Sequence, residues 1–67
     1  MTVYNKTTSP KSYGHKEFKI TVQAAASPGQ RGPAFVVDSD KANAALAISR
    51  VAVAADKASG EIEITLD

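Results

Sequence analysis

From Lys41 to Ala58 the chain runs without a glycine or a proline, and signals for a helix start and stop stand at its two ends. Asp38-Ser39-Asp40 precedes the run and Ser59-Gly60 follows it. Ser39 or Asp38 can cap a helix by accepting from a free N–H of the first turn. Asp38 and Asp40 place negative charge at the positive end of the helix dipole. Gly60 suits the position after the last turn, where the backbone turns left-handed. The run therefore predicts one helix over residues 41–58, a rod of roughly 27 Å. In a chain of 67 residues it leaves room only for short strands and loops around it.

Steps of about 100° divide this helix into two stripes. Ala44, Ala47, Ile48, Val51, Ala54, Ala55 and Ala58 share one broad arc, the face expected to lie on a sheet. Asn43, Leu46, Arg50, Val53 and Lys57 form a second stripe nearly opposite. Leu46 and Val53 there read either as scattered surface or edge-of-core apolars or as the centre of a surface that binds another protein. Because two aliphatics around an arginine resemble an interface centre, these five residues are the expected protein-binding site.

The remaining segments alternate or break. Residues 2–7 are rich in Thr, Val and Tyr and predict a strand, and residues 8–14, with Pro10 and Gly14, predict a loop. Over residues 15–24, Phe18, Ile20, Val22 and Ala24 alternate with polar residues, as in a half-buried strand. The first two strands are expected to pair as a hairpin. Ser27-Pro28-Gly29-Gln30-Arg31-Gly32 predicts a turn-bearing loop, residues 34–37 a third strand and residues 61–66 a fourth. The expected architecture is α+β: a single small domain over residues 1–67 in the order β-β-β-α-β. Its four-stranded, mostly antiparallel sheet carries the Ala-rich helix on one face, with the last strand parallel to the first and third. The core expected from this arrangement joins Phe18, Ile20, Val22, Val36, Ile48, Val51, Ile62 and Ile64.

Composition narrows the chemistry. The chain has no cysteine, so neither disulfides nor a thiolate metal site can brace it, which fits a cytoplasmic protein. No apolar run approaches the roughly 20 residues of a membrane span, and the first residues lack the apolar segment of a signal peptide. The initiator Met suggests a complete small gene product. His15 is the only histidine and has no ligand set or nucleophile elbow beside it. Asp38 and Asp40 are explained by capping. The Gly-containing loop at residues 27–32 lacks the Gly-Lys-Ser/Thr ending of a phosphate loop. These absences point to a protein that is not an enzyme and holds no cofactor.

Charge is uneven along the chain. Residues 1–35 carry Lys6, Lys11, Lys16, Lys19 and Arg31 against Glu17 alone, and residues 36–67 carry six carboxylates against three cations. Lys6, Lys11, Tyr13, Lys16, Lys19 and Arg31 form a basic set with an interleaved aromatic, able in principle to hold phosphates or an acidic partner. Solvated lysines are the plainer explanation.

The layout over residues 18–66, with Val37-Asp38-Ser39-Asp40 leading into Ala44-Ala45-Leu46-Ala47, resembles small phage-encoded inhibitors of bacterial defence, the anti-CRISPR proteins. Many of these are acidic DNA mimics, a mechanism that a net charge of +1 does not suit. The resemblance implies a stoichiometric protein binder that blocks a nucleic-acid-handling complex inside a bacterial host. Two rival expectations stand beside it: a nucleic-acid-binding module using the basic N-terminal hairpin, and a small phage assembly subunit that pairs with a second copy through its helix.

Overall fold

A computed structural model of the chain describes residues 1–66. In chain order it contains β1 (Thr2–Asn5), β2 (Lys11–His15), β3 (Phe18–Val22), β4 (Phe35–Val36), α1 (Asp40–Ile48), α2 (Arg50–Ser59) and β5 (Ile62–Thr65). The class is α+β, as expected, but the strands form two sheets rather than one. β4-β1-β5 is a three-stranded sheet and β2-β3 a separate hairpin, and every pairing is antiparallel. β1 is the central strand of its sheet, with Val3 opposite Phe35 on one side and Ile64 on the other. The last strand therefore runs antiparallel to the first, not parallel.

The hairpin also lies elsewhere than expected. β2 takes residues 11–14 from the expected loop together with His15, and the turn falls at Lys16-Glu17 inside the segment expected to be one strand. Neither residue is a usual turn former. Lys16 nevertheless takes φ 53, in the left-handed region that costs an ordinary residue about 1 kcal/mol. The register sets Tyr13 opposite Ile20 and Lys11 opposite Val22. Tyr13, Ile20 and Val22 are buried, while Ser12 and Thr21 turn to solvent with their hydroxyls 3.2 Å apart.

The helical run begins and ends where the sequence indicated. Ser39 Oγ accepts from the Ala42 N–H at 3.1 Å, and Gly60 closes the run at φ 84. The run is not one rod. It breaks at Ser49, whose φ −97 and ψ 29 leave helical geometry and whose hydroxyl accepts from the Gly14 N–H at 2.7 Å. A serine that bonds outside its own helix is a ready place for a kink.

The inner stripe across the break is Ala42, Ala45, Leu46, Ser49, Val53 and Asp56, at the spacing of one helical face. This corrects the expected orientation. Leu46 is 9% exposed and Val53 packs on the core, so neither belongs to an outward stripe. Ile48 and Val51, expected inside, are 54% and 79% exposed, and Phe18 and Val36 are also exposed. Ile20, Val22 and Ile62 are buried as expected, and Ile64 is half-buried against them. Burying one leucine stabilises by roughly 2 kcal/mol, several times what a methyl group gives, so a stripe with one Leu and one Val competes well with an arc of alanines.

α1 lies directly on the hairpin because Gly14 has no side chain. Gly14 holds φ 99, and a Cβ built there would overlap the Phe18 carbonyl oxygen and stand 2.8 Å from Ala45 Cβ. A second junction is polar. The Asn5 side chain, with no exposed surface, donates from Nδ2 to the carbonyls of Ser9 at 2.7 Å and Val22 at 3.1 Å. Its Oδ1 accepts from the Thr7 N–H at 2.9 Å and the Thr7 hydroxyl at 2.7 Å. Asn5 thereby ties β1 of one sheet to β3 of the other.

Candidate functional site: the outward face of the two helices

With the inner stripe committed to the core, the opposite side of α1 and α2 is uncovered. Ala47, Ile48, Val51, Ala54, Ala55 and Ala58 are all exposed there. Leu46 and Val53 stay on the inner side across the break at Ser49, so the outer arc is continuous across it as well. Asn43, Arg50 and Lys57, three of the five residues read as a binding stripe, are exposed and border this arc on one edge; Lys41 borders it on the other. Of those five residues, Asn43, Arg50 and Lys57 are thus exposed while Leu46 and Val53 face the core, and the large apolar side chains exposed on the outward arc are Ile48 and Val51.

The basic set read from the N-terminal half does not assemble. Tyr13 is 3% exposed, and its hydroxyl donates to Asp56 Oδ2 at 2.6 Å. Lys11 Nζ lies 2.8 Å from Glu61 Oε1 and 3.4 Å from Asp56 Oδ2. Arg31 forks onto the Glu63 carboxylate, with Nε donating to Oε1 at 3.0 Å, and its guanidinium carbon stands 4.4 Å from the centre of the Tyr4 ring. Lys11 and Arg31 are therefore spent on internal carboxylates, and neither tyrosine offers a bare ring for base stacking. Lys16 and Lys19 stand exposed on the hairpin without an ion pair among the described residues, and Lys6 lies near Glu63.

The polar knot of Tyr13, Asp56, Lys11 and Glu61 fastens the hairpin to α2 and to the start of β5, and it has a pH signature. Burial, then the hydrogen bond to Asp56, then the charges of Asp56 and Glu61 raise the Tyr13 phenol well above its ordinary 10.0. The hydrogen bond to Glu61 raises Lys11 above 10.5 against the opposing effect of burial, with the Asp56 and Glu61 charges adding to the rise. A group raised on folding contributes stability that is complete below its unfolded pKa and is lost as pH climbs past it. Both groups therefore place the loss above about pH 10, when phenol and ammonium lose their protons on unfolding. Glu61, lowered by its hydrogen bonds from Lys11 and Ser59, and Glu63, lowered by its hydrogen bond from Arg31, act oppositely. Their contribution is present at neutral pH and is lost as pH falls below about 4.5. Urea midpoints measured from pH 8 to 11 should fall steeply above pH 10 in the parent and more gently in Tyr13→Phe. Parallel curves for the two proteins would remove Tyr13 as the cause.

Among the described residues no enclosed pocket is present, and no group of three His, Cys, Asp or Glu side chains is placed to hold a metal ion. Nor, among these residues, is any helix long and apolar enough to cross a membrane. Comparison with protein families, curated proteins and solved structures returned no match.

Proposed function

We propose that this chain is a non-catalytic protein that acts by binding another protein through the outward face of α1 and α2, with Ile48 and Val51 at its centre. The observation that carries this reading is the exposure of those two side chains on a helical surface whose opposite stripe already makes the core. In so small a domain each large apolar group left in water forgoes roughly 1–2 kcal/mol of burial. A partner that covers the face recovers it. The layout resemblance supplies the target class within this proposal: a CRISPR-type defence complex of a bacterial host, blocked by stoichiometric binding in the host cytoplasm.

The test is the double variant Ile48→Glu with Val51→Glu. Both positions are exposed, so the fold should survive, with stability within about 1 kcal/mol of the parent. Parent and variant are compared for inhibition of DNA cleavage by purified CRISPR effectors and for one-to-one complex formation in sedimentation. The parent should bind and inhibit, and the double variant should do neither. A variant as potent as the parent would place the binding surface elsewhere on the molecule, and a parent that leaves every effector unaffected would remove the proposed target class.

A further inference from the structure

The borders of the outward face say what chemistry its partner carries. Lys41, Arg50 and Lys57 lie along the two edges of the apolar arc, and none of them has an ion-pair partner among the described residues. The molecule does not lack carboxylates to pair with. Asp56, Glu61 and Glu63 are held on the other side of the helices and on β5, and they are already matched by Lys11 and Arg31. Of the two carboxylates within the helices, Asp56 turns inward to Tyr13, and Asp40, in the first turn of α1, stands at the far end from Arg50 and Lys57. The centre of the face is thus aliphatic and its flanks are cationic.

Resting on the reading of this face as a protein-binding surface, we infer that its partner is an acidic protein segment, an aliphatic ridge or groove flanked by Asp and Glu side chains. Complementary charge of this kind steers encounter and rejects wrong partners more than it adds affinity. The same feature disfavours a second copy as occupant. An isologous antiparallel pair centred on Ile48 and Val51 would bring the two Arg50 guanidinium groups together near its axis, and like charges opposed there are repulsive. Nucleic acid is disfavoured by different means. The face offers it no aromatic ring to stack on, and its central residues are aliphatic.

The experiment follows backbone amide shifts of the labelled full chain as probes are added. The first probe is a helical peptide with a leucine face flanked by glutamates; the second has the same leucines flanked by lysines. A duplex oligonucleotide and phosphatidylcholine vesicles containing phosphatidylserine are the other two. The expected result is shifts confined to residues 47–58 with the acidic peptide, weakened by added salt, and at least tenfold weaker binding of the basic one. Arg50→Glu with Lys57→Glu should keep the fold and reverse the preference, each swap changing affinity by roughly tenfold. Equal binding of both peptides at this face overturns the acidic partner and leaves the protein-binding surface standing. Binding of neither at millimolar concentration overturns both. Tighter binding of DNA or vesicles than of the acidic peptide at the same residues overturns the inference in favour of that surface, and a concentration-dependent dimer seated on this face overturns it in favour of self-association.

Discussion

A Gly14→Val chain is expected to give the circular dichroism spectrum of an unfolded polypeptide at room temperature. Two costs add at this position. The backbone sits at φ 99, where a β-branched side chain is strained by roughly 1–2 kcal/mol. The new side chain would also enter the seam between hairpin and helix, where even a single Cβ overlaps the Phe18 carbonyl and crowds Ala45, itself without exposed surface. Overpacking of that sort costs about 1–3 kcal/mol. The core of so small a domain supplies only about 3–5 kcal/mol of net stability, so the sum reaches the whole of it. The same substitution at Gly29, where a Cβ meets nothing, isolates the effect of the seam from that of positive φ alone. A cooperative melt for Gly14→Val within a few degrees of the parent would show that α1 does not rest on the hairpin as described.

Asn5→Leu is expected to lose roughly 2–4 kcal/mol in urea denaturation, although leucine fills nearly the same volume. The loss comes from the groups left behind. The Val22 carbonyl loses its Nδ2 donor inside the protein, and the Thr7 N–H loses Oδ1 as its acceptor. Asn5→Asp keeps an acceptor for Thr7 but turns a carboxylate toward the carbonyls of Ser9 and Val22, and should do no better. A loss below about 1 kcal/mol for Asn5→Leu would mean that water replaces the side chain, and that the two sheets are joined by α1 rather than by this node.

Much of the frame was legible because its signals are local. Ser39 and Gly60 bracket the helical run by chemistry that acts within one turn, and the alternation of Ile62 and Ile64 with Glu61 and Glu63 marks β5. The hairpin was hidden because its turn uses Lys16 and Glu17, and nothing in those two residues announces a left-handed φ. The helix orientation was hidden for another reason. The inner stripe includes Ser49 and Asp56, both polar, and each faces inward to a partner the sequence cannot place, the Gly14 N–H and the Tyr13 hydroxyl. The opposite arc joins Ile48 and Val51 to a run of alanines, and by pattern alone it resembles a core face. Of the candidate site, Asn43, Arg50 and Lys57 were legible as exposed residues on one side, while Ile48 and Val51 became visible only once Leu46 was seen to be inside.

The position of β1 bears on how the chain comes to be folded at all. β1 is the middle strand of its sheet, and the neighbour with which it shares the longer ladder, β5, lies about 60 positions further along, with every other element between them. Closing a loop of that length costs about 3–4 kcal/mol of chain entropy before a single ladder bond repays it. The hairpin and α1, whose contacts are closer in sequence, have no such wait. During synthesis the edge of β1 that takes β5 therefore stays open until residues 62–65 have cleared the exit tunnel, with β4 able to pair only on the other edge, and the short length of four residues limits what else can pair with it in the meantime.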